Sequence, residues 1–122
     1  MRPEAALMVV LGKDNTLLGV SRPDDPNDFG LPGGSVEAGE DPELAAIREL
    51  HEETGLTATK VKKLEQVEYR ERTVHCFLAL DWRGELRHSE EGVVAWVTWD
   101  TLCRGRYGDY NQRLAALFEG AK

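Results

Sequence analysis

The chain has 122 residues, 41% of them hydrophobic, and a formal net charge of -7 at pH 7. That length allows one domain with a real core, and the acid excess argues against a general nucleic-acid-binding surface, which needs a concentrated basic stripe. No apolar run is long enough to span a bilayer, and neither a charged-then-apolar leader nor a repeat is present, so the expectation is a single domain over residues 1–122 of a cytoplasmic protein with no membrane partner.

Residues 5–11 form a continuous apolar run suited to a buried strand, and residues 16–20, after the turn residues Gly12-Lys13-Asp14-Asn15, read as its hairpin partner. Residues 21–29 are rich in Pro, Asp and Asn and read as a loop leading into Leu31-Pro32-Gly33-Gly34. Pro42 suits the first turn of a helix, where a missing N–H costs nothing, and Gly55 suits its end, so a helix is predicted from Pro42 to about Thr54. Two long strands follow over residues 60–70 and 73–82, with Glu71-Arg72 near their turn, and a further strand over residues 93–99. Residues 110–119 read as a short amphipathic helix with Leu114, Leu117 and Phe118 facing the core. Cys76 lies in the apolar run of residues 74–80 and reads as a buried, reduced thiol; it and Cys103 follow neither a disulfide-rich nor a metal-ligand spacing. Trp82, Trp96 and Trp99 suit core positions better than a dimer contact, and both monomer and homodimer stay open.

The first helix carries the chemistry. At about 100° per residue, Glu49, Glu52 and Glu53 fall within a sector roughly 100° wide, while Leu44, Ile47 and Leu50 point to the opposite side. Carboxylates at such spacing repel each other unless something neutralises them. A hard divalent cation does so, because magnesium takes oxygen ligands and bridges carboxylates to phosphates; the plain alternative is a solvated acidic face. Gly33 and Gly34 let backbone approach a metal or phosphate closely. Gly39 reads as a turn residue and His51 as a solvated helix residue.

Taken together, Gly34, Glu40 and Arg48-Glu49-Leu50-His51-Glu52-Glu53-Thr54-Gly55-Leu56 match the Nudix box without a departure. The chain is identified by this pattern as a member of the Nudix hydrolase family, MutT-like in size and C-terminal region. The resemblance implies an α/β fold, an α/β/α sandwich with a mixed sheet, and hydrolysis of a phosphoanhydride in a nucleoside diphosphate-linked substrate. It implies Mg2+ as cofactor, with Mn2+ able to substitute, held by Glu49, Glu52, Glu53 and the Gly33 carbonyl. Glu53, Glu52, Glu49 and Arg48 are the expected catalytic set, with Arg48 pairing bidentately with Glu40 or Glu49. Neither cysteine has a histidine-acid partner in sequence, so water attacks directly. The base is one of these glutamates or an acid outside the box, for which Glu90 and Glu91 are candidates beside a reading as a solvated loop pair.

Substrate choice rests on residues outside the box. Arg22, Phe29, Leu31, Gly33, Gly34 and Asn111 are the candidate substrate contacts, with Tyr107 and Tyr110 as possible stacking partners. Asn111 resembles in placement the asparagine with which MutT-type enzymes read oxidised guanine, an amide being both donor and acceptor; the competing reading is that Asp109 or Asn111 caps the last helix. No proline follows Pro42, where Nudix hydrolases of ADP-ribose often carry one, and Tyr69 lies too early for the tyrosine associated with diadenosine polyphosphates. The signature of coenzyme A hydrolases is missing. The expected reaction is (d)NTP to (d)NMP and pyrophosphate, on a small nucleotide and not a nucleic-acid polymer. Alternatives are ADP-ribose, a nucleotide sugar or a diadenosine polyphosphate, or a nucleotide-sensing domain without turnover, against which the intact acidic set argues.

Overall fold

The computed structural model describes residues 3–87 and 92–120. Its elements run β1 (Glu4–Val9), β2 (Thr16–Arg22), β3 (Asp25–Gly30), β4 (Gly33–Ser35), α1 (Pro42–Thr54), β5 (Thr57–Tyr69), β6 (Arg72–Arg83), β7 (Val94–Thr98), α2 (Trp99–Cys103) and α3 (Gly108–Gly120). One sheet has the order β4-β1-β6-β5, with β1 and β6 parallel and the other pairs antiparallel. The second, β3-β2-β7, is antiparallel throughout. The mixed first sheet lies between helices, and strand alternation shows how. Ala6, Met8, Phe77 and Ala79 join Ala45, Ala46 and Leu50 of α1 in one core cluster, whereas Val9, Val74 and Cys76 join Tyr110 and Leu114 of α3 in another. The expected α/β class with a mixed sheet is therefore observed.

Helix α1 has the predicted bounds and the predicted ends. Asp41 Oδ1 accepts from the Glu43 N–H at 2.8 Å, Pro42 sits in the first turn, and Gly55, at φ 85°, donates its N–H to His51 O at 3.0 Å. Thr54, buried, donates to Leu50 O at 2.7 Å and accepts from the Leu56 N–H at 3.1 Å, which ties the helix end to β5.

Several expectations are corrected. β1 has both hydrogen-bonding edges occupied, by β4 and β6, so residues 16–20 cannot pair along it. β2 enters the second sheet, and only the base of the expected hairpin forms: Gly12 N–H donates to Thr16 O at 2.8 Å and Leu18 N–H to Val10 O at 2.9 Å around a Leu11–Leu17 bridge, beside the turn at Asp14 and Asn15, whose φ values are 57° and 61°. The expected loop of residues 21–29 contains β3, a polar strand at a sheet edge, where Pro26 removes no interior ladder bond. Trp99 ends no strand; it starts α2, which Thr98 caps by accepting from the Thr101 N–H at 3.2 Å. Leu44 and Leu117 are exposed, at 59% and 49%. In α1 the packing is done by Ala45, Ala46 and Leu50, whose short alanines bring the helix close to the sheet. Trp82 packs against the first cluster and Trp99 packs on Phe118, but Trp96, beside Trp82, is exposed at 39% and is not the core residue expected.

Replacing Leu50, fully buried, by alanine should therefore destabilise the protein by about 2 to 5 kcal/mol in urea melts. Leu44→Ala, at an exposed position of the same helix, should stay within about 0.5 kcal/mol of the parent.

Candidate active site

The acidic residues of α1 are positioned by the three-residue strand β4. Its pairing with β1 places Gly33 opposite Leu7 and Gly34 opposite Ala6. Glu53 Oε1 accepts from the Gly33 N–H at 2.7 Å. A Cβ added to Gly34 would lie 2.5 Å from the Glu49 carboxyl carbon, so only glycine allows that carboxylate to rest on the backbone. Glu49 and Glu53 thus sit at the margin of the packed face of α1 rather than opposite it.

Arg48 gathers the remaining charge. Its Nε and Nη2 donate to Glu40 at 2.9 and 3.0 Å, and its Nη1 to Glu49 at 3.1 Å and to Glu52 at 3.2 and 3.3 Å. Nη2 also reaches Ser35 O at 3.2 Å and lies 3.8 Å from Glu37. Both expected partners, Glu40 and Glu49, are therefore engaged, the first bidentately. The Glu40 hydrogen bonds hold the guanidinium still further above its ordinary pKa, and Arg48 holds the Glu40 carboxyl below the usual carboxylate range.

Among the described residues, no three Asp, Glu, His or Cys side chains converge on one ligand position. Glu52, with a side chain 53% exposed, is turned to Arg48. The donor chemistry nevertheless fits a hard divalent cation: Glu49 and Glu53 meet the same glycine backbone, Glu52 is one turn away at the surface, and every donor is oxygen.

Glu53, Gly33 and Gly34 also form part of the wall of a cleft of about 540 Å³. Arg22, Leu31 and Asn111 line the same cleft, so it collects most of the expected substrate contacts. Arg22 is already engaged, with Nε 3.0 Å from Asp24 Oδ1 and 3.8 Å from Asp28 Oδ2. Phe29 lies apart from the cleft wall, packed against the second core cluster and near Gly19. Glu90 and Glu91 lie outside the described residues.

Asn111 is no helix cap. It lies inside α3, 2% exposed, with its N–H donating to Tyr107 O at 2.9 Å and its Nδ2 to Leu102 O at 3.2 Å. The amide is thereby oriented, and no hydrogen bond from a described residue reaches its Oδ1. Asp109 lies within the first turn of α3 rather than before it, and its Oδ1 accepts from the Tyr110 N–H of that turn at 2.9 Å as well as from Tyr69 OH at 2.5 Å.

The rest of the wall includes Tyr69, Arg72, Arg106, Tyr107 and Tyr110. Arg72 is the first residue of β6 and Arg106 belongs to the α2–α3 loop, and no local motif marks them. Burial pushes the Tyr110 phenol up, and its OH donates to Glu65 Oε2 at 3.0 Å. Burial also raises Glu65, but Arg113, which grips both its oxygens, and Tyr110 outweigh that and hold it below the usual range. Cys76 beneath is pushed up to about 12 by burial, so its thiol is neutral and a poor nucleophile.

Comparison with known proteins locates the chain. The NUDIX domain model matches residues 1–118. An 8-oxo-dGTP diphosphatase of Escherichia coli (strain K12) is 34% identical over 102 residues, 78% of this chain and 79% of that protein. An ADP-ribose pyrophosphatase of Methanocaldococcus jannaschii is 46% identical over 66 residues, 52% of this chain and 38% of that one. A MutT structure, from work on the Aliivibrio salmonicida and Vibrio cholerae proteins, superposes with a TM-score of 0.79 at 26% identity, covering 96% of each chain. The chain belongs to the Nudix family, and it is a pyrophosphohydrolase of acid anhydrides in phosphorus-containing substrates.

Proposed function

We propose that the protein hydrolyses a (d)NTP to (d)NMP and pyrophosphate by direct attack of water, with Mg2+ as cofactor and Mn2+ able to replace it. The observation that carries the substrate reading is Asn111: a buried amide on the cleft wall, oriented by Leu102 O and with its Oδ1 unclaimed by described residues. Such an acceptor suits a donor on a purine edge, and relatives named 8-oxo-dGTP diphosphatase favour an oxidised guanine there.

Glu49, Glu52, Glu53 and the Gly33 carbonyl would hold the metal, which when bound neutralises phosphate charge and acidifies water. The chain's own residues do the rest. Gly33 N–H holds Glu53 at the cleft wall, where its carboxylate would take a proton from attacking water. Arg48 keeps Glu49 and Glu52 oriented. Leu31, Leu7 and Val74 give the cleft an apolar wall on which a base can rest.

Product analysis across canonical and 8-oxo (d)NTPs, ADP-ribose, nucleotide sugars and diadenosine polyphosphates should show NMP and pyrophosphate from one or a few triphosphates. Chelation should abolish turnover, and added Mg2+ or Mn2+ should restore it. Product from ADP-ribose alone would overturn the substrate reading and leave the family assignment intact.

Glu53→Gln should keep the fold and its melting temperature while lowering kcat by several powers of ten, because ligand charge is lost at constant shape. Near-parental turnover by the purified variant would remove Glu53 from the mechanism.

Arg48→Lys should lower kcat about 10- to 100-fold and raise the metal concentration needed for half-maximal rate. A lysine head cannot grip Glu40 and Glu49 together. An unchanged metal requirement would sink this positioning role.

A further inference from the structure

Beside the cleft lies a second, smaller cavity of about 320 Å³, walled by Tyr69, Arg70, Arg72, Arg106 and Tyr107. All but Arg70 also line the larger cleft, so the two hollows share a wall. Their chemistry differs. Arg72 and Arg106 line both, but the larger also carries Arg22, Asp28, Glu53 and apolar walls, whereas the smaller has only those two arginines, Arg70 and two tyrosines, with no acid in its lining. In a chain of net charge -7, such a concentration is local and unscreened by its immediate wall.

Arg70 is built into place. Its guanidinium stacks 5.0 Å from the centre of the Tyr69 ring and 5.5 Å from that of Tyr107, and its Nη2 lies 3.4 Å from Arg106 O and 3.6 Å from Asp109. Asp109 is shared with Tyr69 OH, so part of its charge is already committed. Arg106 is fixed through its backbone, whose N–H donates to Asp28 Oδ1 at 2.8 Å. Among the described residues, however, neither the Arg72 nor the Arg106 guanidinium has an acidic partner within ion-pair distance. Unpaired guanidinium forks around one hollow match the oxygens of a phosphate group.

We propose that this arginine-tyrosine hollow is a subsite for a second phosphate group of the substrate, one outside the anhydride that is cleaved. It extends the range of ligands beyond the (d)NTP of the proposed reaction to nucleotides that also carry phosphate on the ribose, or to the far phosphate of a dinucleoside polyphosphate. The inference rests on the reading of the larger cleft as the nucleotide site.

Calorimetric binding with Ca2+ in place of Mg2+, which keeps a divalent ion at the acidic face, tests it, with product analysis of the same samples checking that turnover does not interfere. The pairs are a nucleoside 5′-monophosphate against its 3′,5′-bisphosphate, and a nucleoside triphosphate against the corresponding dinucleoside tetraphosphate, in the guanine and adenine series. One member of a pair with the extra phosphate should bind about tenfold or more tightly than its partner, the margin of one charge-assisted contact. Arg70→Gln/Arg106→Gln should erase that margin while circular dichroism and melting report an intact fold. A margin in the first pair assigns the hollow to a ribose phosphate, and a margin in the second to the far phosphate. Equal binding within both pairs, or a margin that survives the double substitution, overturns the subsite with the nucleotide site standing. No binding by any of these ligands would instead overturn the reading of the larger cleft, and the subsite with it.

Discussion

The catalytic end of this molecule depends on packing glutamates closer together than their charges favour. Glu49, Glu52 and Glu53 share one helix at spacings where like charges destabilise it, each pair by a few tenths of a kcal/mol. Glu37 and Glu40 are brought to the same place by the preceding loop. Arg48 makes the arrangement tolerable, because a guanidinium has enough donors to serve Glu40, Glu49 and Glu52 together. Since its own charge is strengthened by these contacts, it stays a cation at any relevant pH. The same contacts fasten the loop to the helix through Ser35 O, so the geometry of the acids is set before any substrate arrives.

Strand β1 extends that constraint through the fold. Its one face supplies Ala6 and Met8 to the core under α1, and its other supplies Ala5 and Leu7 to the cleft wall, Leu7 also touching the second core. Its edge aligns Gly33 and Gly34 beneath Glu53 and Glu49. A slip of β4 by one residue would move both glycines out of register with the carboxylates they accommodate. The core and the reaction site therefore share one register, and the helix cannot shift without disturbing either.

This division explains what could be read from residue order. Helix α1 was legible to its last residue, because Pro42 and Gly55 are local signals acting through local backbone conformation, to which the structure adds the Asp41 cap. The turn between β5 and β6 was legible for the same reason, though its left-handed residues are Arg70 and Glu71. What failed was set by partners distant in sequence. Residues 16–20 have the pattern of a hairpin strand, but the edge they needed was taken by β4 and β6. Leu44 looked like a core residue by periodicity, yet the close approach allowed by Ala45 and Ala46 turned the buried face away from it. Arg72 opens β6 and Arg106 belongs to a loop, and only the tertiary fold makes them neighbours.

The placement of arginines also resolves how so acidic a chain can take a polyanion. Arg48 is consumed inside the acidic cluster and contributes order there rather than attraction. Arg113 is consumed by Glu65 below the cleft, where Tyr110 and Cys76 are held neutral by burial. That leaves the floor of the cleft without an uncompensated charge and its apolar wall free for a base. Positive charge collects instead at Arg70, Arg72 and Arg106, and negative charge at Glu53 with its helix neighbours. Because an exposed charge is screened over about 8 Å at physiological salt, net charge says little about such a surface and local sign decides. A metal-bearing phosphate chain suits this separation, with cations met by the helix carboxylates and spare phosphate oxygens met by guanidinium groups.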